Sequence, residues 1–444
     1  MNKPGITLNP SSVALRVMRG EDSFEKEVQH IFHGPTWHYL CLEAELPQAG
    51  SFVTSQIADT PVIICRDELG SIRAHINRCK HKGALVCVEP RGTTSTLRCL
   101  YHGWSYHLDG RLRLVPFEKG VDGKGGMPAC FNKADHGLTP VRIEVFCGVV
   151  FGTLSAETQS VQEYLGTEMC AHLGRVMHKP VIVLGYYHQV MHCNWKLYAE
   201  NARDSYHATI LHAFYATFKL NRLTMGGGLL VSPSGWNTLN YSIGASVKEG
   251  EYDATELRAV MPDIGLADPA LLNHRLEFSD GITVAIQSIF PGLVHQQIYN
   301  TLAMRQIVPL APDRTELHWT CFGYEDDDEQ LRELRLQQAN LIGPAGYVSM
   351  EDGVIGEYVQ RGLGGVGADE RAVLLMGGEE VRSVTDSRAN ETTVRGFWQG
   401  YGELMNDSPE RGTDSPERDI NSPERGIDSP EQDINSPERG DGKP

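Results

Sequence analysis

Cys79-Lys80-His81 and Cys99-Leu100-Tyr101-His102 are the stretches on which the reading of this chain turns. They spell C-x-H, a gap of seventeen residues, and C-x2-H. Each offers one thiolate and one imidazole, so the four side chains make a metal site if the two stretches converge. A Cys2His2 zinc site is the competitor, but zinc fingers pair cysteine with cysteine and histidine with histidine. Here each stretch supplies one of each.

That division suits a Rieske [2Fe–2S] cluster, in which one iron keeps two cysteines and the other takes two histidines. Cys79 and Cys99 then bind the first iron, and His81 and His102 the second. The neutral nitrogen ligands raise the potential, which fits such a centre to accept electrons from a ferredoxin or reductase. The surrounding chain reads as short strands. Phe52-Val53-Thr54 and Val62-Ile63-Ile64 are β-branched and aromatic runs broken by a turn at Asp67 to Gly70. After the second ligand pair, Ser105 to His107 and Arg111 to Val115 flank Asp109-Gly110, a dipeptide that favours a tight hairpin. Ser105 and Tyr106 are candidates to hydrogen-bond the cluster sulfurs.

A second cluster lies about a hundred residues on: Asp204-Ser205-Tyr206-His207, then His212. Alone, His-x4-His is more often a solvated or packed pair than a ligand set. Beneath a Rieske motif it reads as two ligands of a mononuclear non-haem iron, which needs a carboxylate to complete its face and open positions for dioxygen. Asp204 and Asp352 are the candidates. On a regular helix His207 and His212 diverge by roughly 140°, so the helix must bulge or break between them.

These motifs, with Asn201-Ala202-Arg203-Asp204-Ser205-Tyr206-His207 and Gly343 to Asp352, resemble the large (alpha) subunit of Rieske non-haem iron aromatic-ring-hydroxylating dioxygenases. The likeness runs over about residues 20 to 405. It implies Asp352 as the iron-binding aspartate, with Glu351 the weaker neighbour. It implies a trimer of large subunits in which Asp204 bridges His207 and His102 of a neighbouring subunit, with Asn201 and Tyr206 shaping the iron's surroundings. It implies an α3 or α3β3 oligomer with a small β subunit, and a ferredoxin or reductase partner that carries the NAD(P)H and flavin. Two electrons and O2 would convert the ring to a cis-diol or catechol; a monohydroxylase is the sister reading, and a Rieske electron carrier without a second iron the reading from another class.

Phe117 to Val121, Gly125 to Pro128 and Trp195 to Tyr198 place the resemblance among terephthalate, anthranilate, ortho-halobenzoate and salicylate oxygenases. Such acids need a cationic partner, and arginine binds carboxylate through two parallel hydrogen bonds. Arg305, in the strand-like run Leu302 to Val308, and Arg395, before Gly396-Phe397-Trp398, are the candidates; structural ion pairs are the competing use. Met225 to Ser242 is expected to border the pocket.

A chain of 444 residues suits two domains plus a tail. The expected order is an arm and helix over 1–37, a β-rich Rieske domain over 38–155, an α+β catalytic domain over 156–405, and a tail over 406–444. Asp22 with Glu25 reads as a capping box for a helix carrying Phe24, Val28 and Ile31. Strands are expected at Thr283 to Ile289 and Glu316 to Phe322, and a helix over Asp327 to Leu341. The resemblance makes the catalytic half a helix-grip-like antiparallel sheet around a long helix. From Asp407 to Asp441 Ser-Pro-Glu recurs every seven residues, five times; its prolines exclude a continuous helix, and a disordered, solvated tail is expected.

The net charge of −17 argues against nucleic acid as partner. No run has the length and apolarity of a signal peptide or membrane helix, and ten cysteines are too sparse for a disulfide scaffold, so a cytoplasmic protein is expected. No glycine-rich phosphate loop with strand and helix context is present, which leaves nicotinamide and flavin to other proteins.

Overall fold

The computed structural model of the chain describes residues 9–218, 220–244 and 263–406. The Ser-Pro-Glu repeats lie outside those residues, as does the disorder expected of them. Every named strand pair is antiparallel, and helices are interleaved with the sheets, giving the α+β architecture.

Three small sheets fill residues 38–153. His38–Leu42 pairs with Val149–Thr153, which pairs with Arg142–Phe146. Ser51–Ile57 lies between Thr60–Arg66 and Arg91–Thr93, with Ile72–Ile76 outside them. The third joins Leu97–Arg98, Ser105–Tyr106 and Leu112–Leu114. Successive side chains of a strand point to opposite faces, and Thr60–Arg66 is apolar on both for that reason. Ile63 and Cys65 join the core around Cys79, Cys99, Trp104 and Tyr106. Val62 and Ile64 face a larger core that runs on through Leu40, Val294, Trp319 and Phe397. The two expected halves thus share one continuous apolar interior.

The turns form where the sequence marks them. Asp67 Oδ1 accepts from the backbone N–H of Leu69 and Ser71, and Gly110 takes a φ of 89° between the two strands it joins.

The N-terminal helix forms over Phe24–Glu27 and widens into a π turn over Val28–Phe32. Its expected Asp22/Glu25 capping box does not. Ser23 takes the capping position, and its hydroxyl donates to the Glu27 carboxylate instead. Glu27 is fully buried and also receives Lys196 Nζ at 2.5 Å, Trp195 Nε1 at 2.7 Å and the Tyr401 hydroxyl at 2.8 Å. A buried carboxylate needs all of its acceptor sites filled, and that need outweighs the local cap.

The second half is built on one eight-stranded sheet. Its order is Val181–Met191, Arg314–Tyr324, Thr301–Ala311, Leu293–Ile298, Ile282–Ile289, Thr238–Ile243, Gly227–Val231 and Val384–Thr385. Asp328, not Asp327, caps the helix Glu329–Ile342; Asp327 is held by Arg335. The helix Tyr347–Gly362 lies tight against the edge strand, where Gln189 Nε2 donates to the Ser349 carbonyl at 3.0 Å. A Cβ at Gly356 would stand 3.0 Å from Cys193 Sγ, tighter than an ordinary contact, so the glycine lets this helix pack close.

Candidate active site

Both cluster motifs sit on loops closed by the same backbone bond. Gly83 N–H donates to the Cys79 carbonyl at 2.9 Å, and Gly103 N–H to that of Cys99 at 3.0 Å. Both glycines take a positive φ, 75° and 71°, which glycine adopts without steric cost. The two thiols are buried in one small core with Trp104, and the imidazole rings of His81 and His102 stand 4.4 Å apart with His81 against that tryptophan, so both loops bring their ligands to the same part of the domain. His81 stacks on Trp104 at 5.0 Å, and its buried Nδ1 has no hydrogen-bond partner among the described residues. Two thiols, two imidazoles and an orphaned ring nitrogen fit a [2Fe–2S] group bound through Cys79, Cys99, His81 and His102.

Of the two hydroxyls considered for the sulfurs, Tyr106 lies 3.2 Å from Cys79 Sγ. The Lys80 N–H donates to the same oxygen at 3.1 Å, which leaves the phenolic proton for the sulfur. Ser105 Oγ is buried without a partner among the described residues.

The second constellation comes from two distant helical regions. Asn194 caps Trp195–Asn201 with its side chain, and Asp204 caps Ser205–Leu211, accepting from the Tyr206 N–H at 2.7 Å. The helix stops at His212, whose extended backbone (φ −77°, ψ 103°) separates it from Ala213–Thr217. This break turns His212 back toward His207, with ring centroids 5.3 Å apart. Asp352, on the helix Tyr347–Gly362, places Oδ1 3.5 Å from Nε2 of both histidines. One ligand atom from each of the three lies within 4.8 Å of the others, the two-histidine, one-carboxylate face of non-haem iron.

The neighbours of this face set its chemistry. His212 Nδ1 donates to Glu351 Oε2 at 2.9 Å, which puts the proton on Nδ1 and leaves the Nε2 lone pair for a metal. Glu351 also accepts from the Ala213 N–H. Asn201 Nδ2 lies 3.3 Å from His207 Nε2 and donates to Asp352 Oδ1 at 3.2 Å. Asp204 Oδ2 approaches His207 Nδ1 to 3.3 Å, short of hydrogen-bond geometry. Burial opposes charge on His207, but Asp204 and Asp352 outweigh it and lift its pKa to about 10. Burial alone would raise the Asp352 carboxyl; His212, His207 and Arg305 hold it below its ordinary value. Near Asp204, burial pushes the Glu200 carboxyl up to about 8, against a 2.6 Å bond from Trp398 Nε1 and with Asp204 and Glu391 adding to the rise.

A cavity open to solvent leads onto this face, with about 600 Å³ of empty space that includes the solvent at its mouth. His207, His212, Asp352, Asn201 and Asp204 line it, as do Val284, Ile286, Ile298 and Val348. Tyr206 is not among its lining residues. The sheet supplies the wall in register: Asn240 pairs with Ile286 and Ser242 with Val284, which pairs with Ile298. Asn240, Tyr241 and Ser242 bring the far end of the 225–242 segment to the cavity.

The two arginines separate. Arg305 is buried in the lining, where Nη1 donates to the Tyr198 hydroxyl at 2.8 Å, Nη2 to Gln296 Oε1, and the guanidinium lies over Trp319 at 4.4 Å. Arg395 does not line the cavity. Its guanidinium donates to the carbonyls of Leu374, Met376 and Glu380 and to Asn390, which ties the last helix to the preceding loop. Sequence reading missed Arg388, a buried lining residue whose guanidinium donates to Asn221 Oδ1 at 2.5 Å and to the Arg222 carbonyl. It sits in irregular chain between elements, with no periodic signal to mark it.

Residues 36–124 match the Rieske [2Fe-2S] domain, and residues 175–407 the catalytic domain of the ring hydroxylating alpha subunit. The terephthalate 1,2-dioxygenase terminal oxygenase component subunit alpha 2 of Comamonas sp is 48% identical, over 86% of this chain and 92% of its own length. The anthranilate 1,2-dioxygenase large subunit of Burkholderia cepacia is 42% identical, over 89% and 93%. Naphthalene 1,2-dioxygenase from Rhodococcus sp., solved with indole bound, shares the fold: the TM-score is 0.75 at 24% identity, over 90% of this chain and 95% of that one.

The chain therefore belongs to the family of ring-hydroxylating dioxygenase alpha subunits, oxidoreductases that pair a Rieske cluster with a mononuclear iron. No helix among the described residues is long and apolar enough to cross a membrane.

Proposed function

We propose that this chain is the large oxygenase subunit of a multicomponent enzyme that dihydroxylates the ring of a benzoate-type aromatic acid. Arg305 carries the reading: a buried cation that lines the same cavity as the aliphatic side chains of Val284, Ile286 and Ile298 and the face formed by His207, His212 and Asp352. Its Nε has no hydrogen-bond partner among the described residues. A carboxylate meets the guanidinium, and the ring it carries packs on Val284, Ile286 and Ile298.

Cys79, His81, Cys99 and His102 would hold the cluster, and His207, His212 and Asp352 the iron. When bound, the two centres supply single electrons and oxygen activation. The protein's own share is positional. Glu351 keeps the proton of His212 on Nδ1, Asn201 tethers the Asp352 carboxylate, and the aliphatic wall excludes water from the ring. Asp204, in contact with His207 and partly exposed, is the bridge toward His102 of a neighbouring subunit in an α3 or α3β3 assembly. A separate ferredoxin or reductase with NAD(P)H and flavin, and a cytoplasmic setting, complete the reading.

Arg388 favours a second reading within it. A second buried guanidinium in the same lining suits a ring with two acidic groups, of the terephthalate type. Oxygen uptake and product analysis with a reconstituted reductase test both, using benzoate, anthranilate, terephthalate and toluene. The acids are expected to be turned over, and Arg305→Met to lose about a hundredfold in kcat/KM for every one of them, the scale of removing one partner of a buried charge pair. A preference for toluene, or an unchanged Arg305→Met enzyme, overturns the proposal. Loss of terephthalate turnover alone in Arg388→Met supports the second reading.

A further inference from the structure

Asn240 and Ser242 stand two residues apart on the strand Thr238–Ile243, so their side chains leave the same face, and both line the cavity. They are 7% and 1% exposed, and Asn240 Oδ1 and Ser242 Oγ have no hydrogen-bond partner among the described residues. Buried polar atoms are nearly always satisfied, so two unsatisfied ones on a cavity wall mark places a ligand fills.

The Asn240 amide is not free to turn over. Its Nδ2 donates to the Arg203 carbonyl at 2.7 Å, and the flipped amide would set two acceptor oxygens against each other. Oδ1 is therefore fixed as a buried acceptor on a residue that lines the cavity, and only an N–H or O–H can match it. A C–H or C–F leaves it unpaired, and a carboxylate oxygen repels it.

The same amide grips the backbone beside the iron site. The Arg203 carbonyl also accepts from Thr393 Oγ1 at 2.6 Å, and the Asp204 N–H on the other side of that peptide donates to the carbonyls of Glu200 and Asn201. The peptide leading into Asp204 is pinned from both edges, and one pin belongs to the cavity wall.

We propose that Asn240 is a specificity-determining residue whose amide oxygen receives an amino or hydroxyl substituent on the aromatic acid, with the Ser242 hydroxyl beside it. This rests on the cavity being the site of an aromatic acid. Because changing Asn240 also releases one pin on the Arg203 carbonyl, the test reads a ratio of affinities rather than turnover.

The iron-loaded enzyme is titrated anaerobically, by calorimetry, with the 2-, 3- and 4-aminobenzoates and the matching fluorobenzoates. At one ring position the amino acid is expected to bind at least about tenfold more tightly than its fluoro partner, since a site built for an N–H rejects the analogue without one. In Asn240→Leu that ratio drops to near one while the fluorobenzoate affinity stays within a few-fold. Ser242→Ala keeps the Arg203 bond and decides the matter if Asn240→Leu does not fold; its ratio is expected to drop as well. A ratio near one in the wild type, or one unchanged in the folded variants, overturns the assignment. If the acids bind and Arg305→Met weakens all of them while the ratio survives in Asn240→Leu, only the role of Asn240 fails. If no acid binds the wild type, the aromatic-acid reading fails with it.

Discussion

The Rieske loops and the mononuclear site hold their ligands in opposite ways. Four cluster ligands come from one short span, residues 79–102, on two loops closed by matching glycine bonds, with Cys79 and Cys99 buried in their own small core. The three ligands of the other face come from helices far apart in sequence; His212 and its partner Glu351 are separated by 139 residues. The first site needs only its two loops to fold correctly. The second exists only once the helix Tyr347–Gly362 has docked on the sheet. The loop site is thus locally encoded, and the helix site reports on the packing of the whole catalytic half.

The sharpest way to break this contrast is His207→Ala, read by anaerobic iron and sulfide analysis with electron paramagnetic resonance. The wild type is expected to hold about three irons and two sulfides per chain, and the variant to lose one iron and all oxygenation while keeping its Rieske signal. Two irons in both proteins would sink the assignment. A smaller effect is expected of Glu351→Ala, which leaves the three ligands in place but frees His212 Nδ1. Iron affinity should weaken by about 10- to 100-fold with the cluster untouched, and an unaltered Fe(II) titration would remove Glu351 from the site. The smallest effect belongs to the loops. Tyr106→Phe deletes the hydroxyl at Cys79 Sγ and should lower the cluster's reduction potential without loss of iron or sulfide. A potential that stays put would show that the phenol serves Lys80 and not the sulfur.

The same contrast explains what could be read in the sequence. The loop motifs were legible because ligands, glycines and hairpin turn all lie close together in the chain. The break at His212 was legible because the spacing of two histidines conflicts with a regular helix, and the structure resolves the conflict with one extended residue. The long strands Thr301–Ala311 and Arg314–Tyr324 showed in part, as the shorter stretches Leu302 to Val308 and Glu316 to Phe322. What could not be read depends on distant partners. Arg305 and Arg395 look alike in sequence, each in an apolar setting, and only the fold turns one to the cavity and the other to backbone carbonyls. The Asp22/Glu25 pair had the form of a cap, but Lys196, Trp195 and Tyr401 draw Glu27 inward and take Ser23 with it.

That buried meeting point has a practical meaning for anyone who shortens the chain. Glu27 belongs to the N-terminal arm, Lys196 to the helix that ends in Asn201, and Tyr401 to the last described helix. Lys196 and Glu27 are wholly enclosed, so replacing Glu27 by an apolar residue would leave an ammonium without its buried partner, a loss of about 3–5 kcal/mol, and trimming the arm would remove both the partner and part of the enclosure. The damage would surface at Asn201, on the far end of the Lys196 helix, beside the iron ligands. A segment that touches neither cofactor nor substrate thus acts as a tie-rod, and a truncation mapped by sequence alone would be mistaken for an active-site defect.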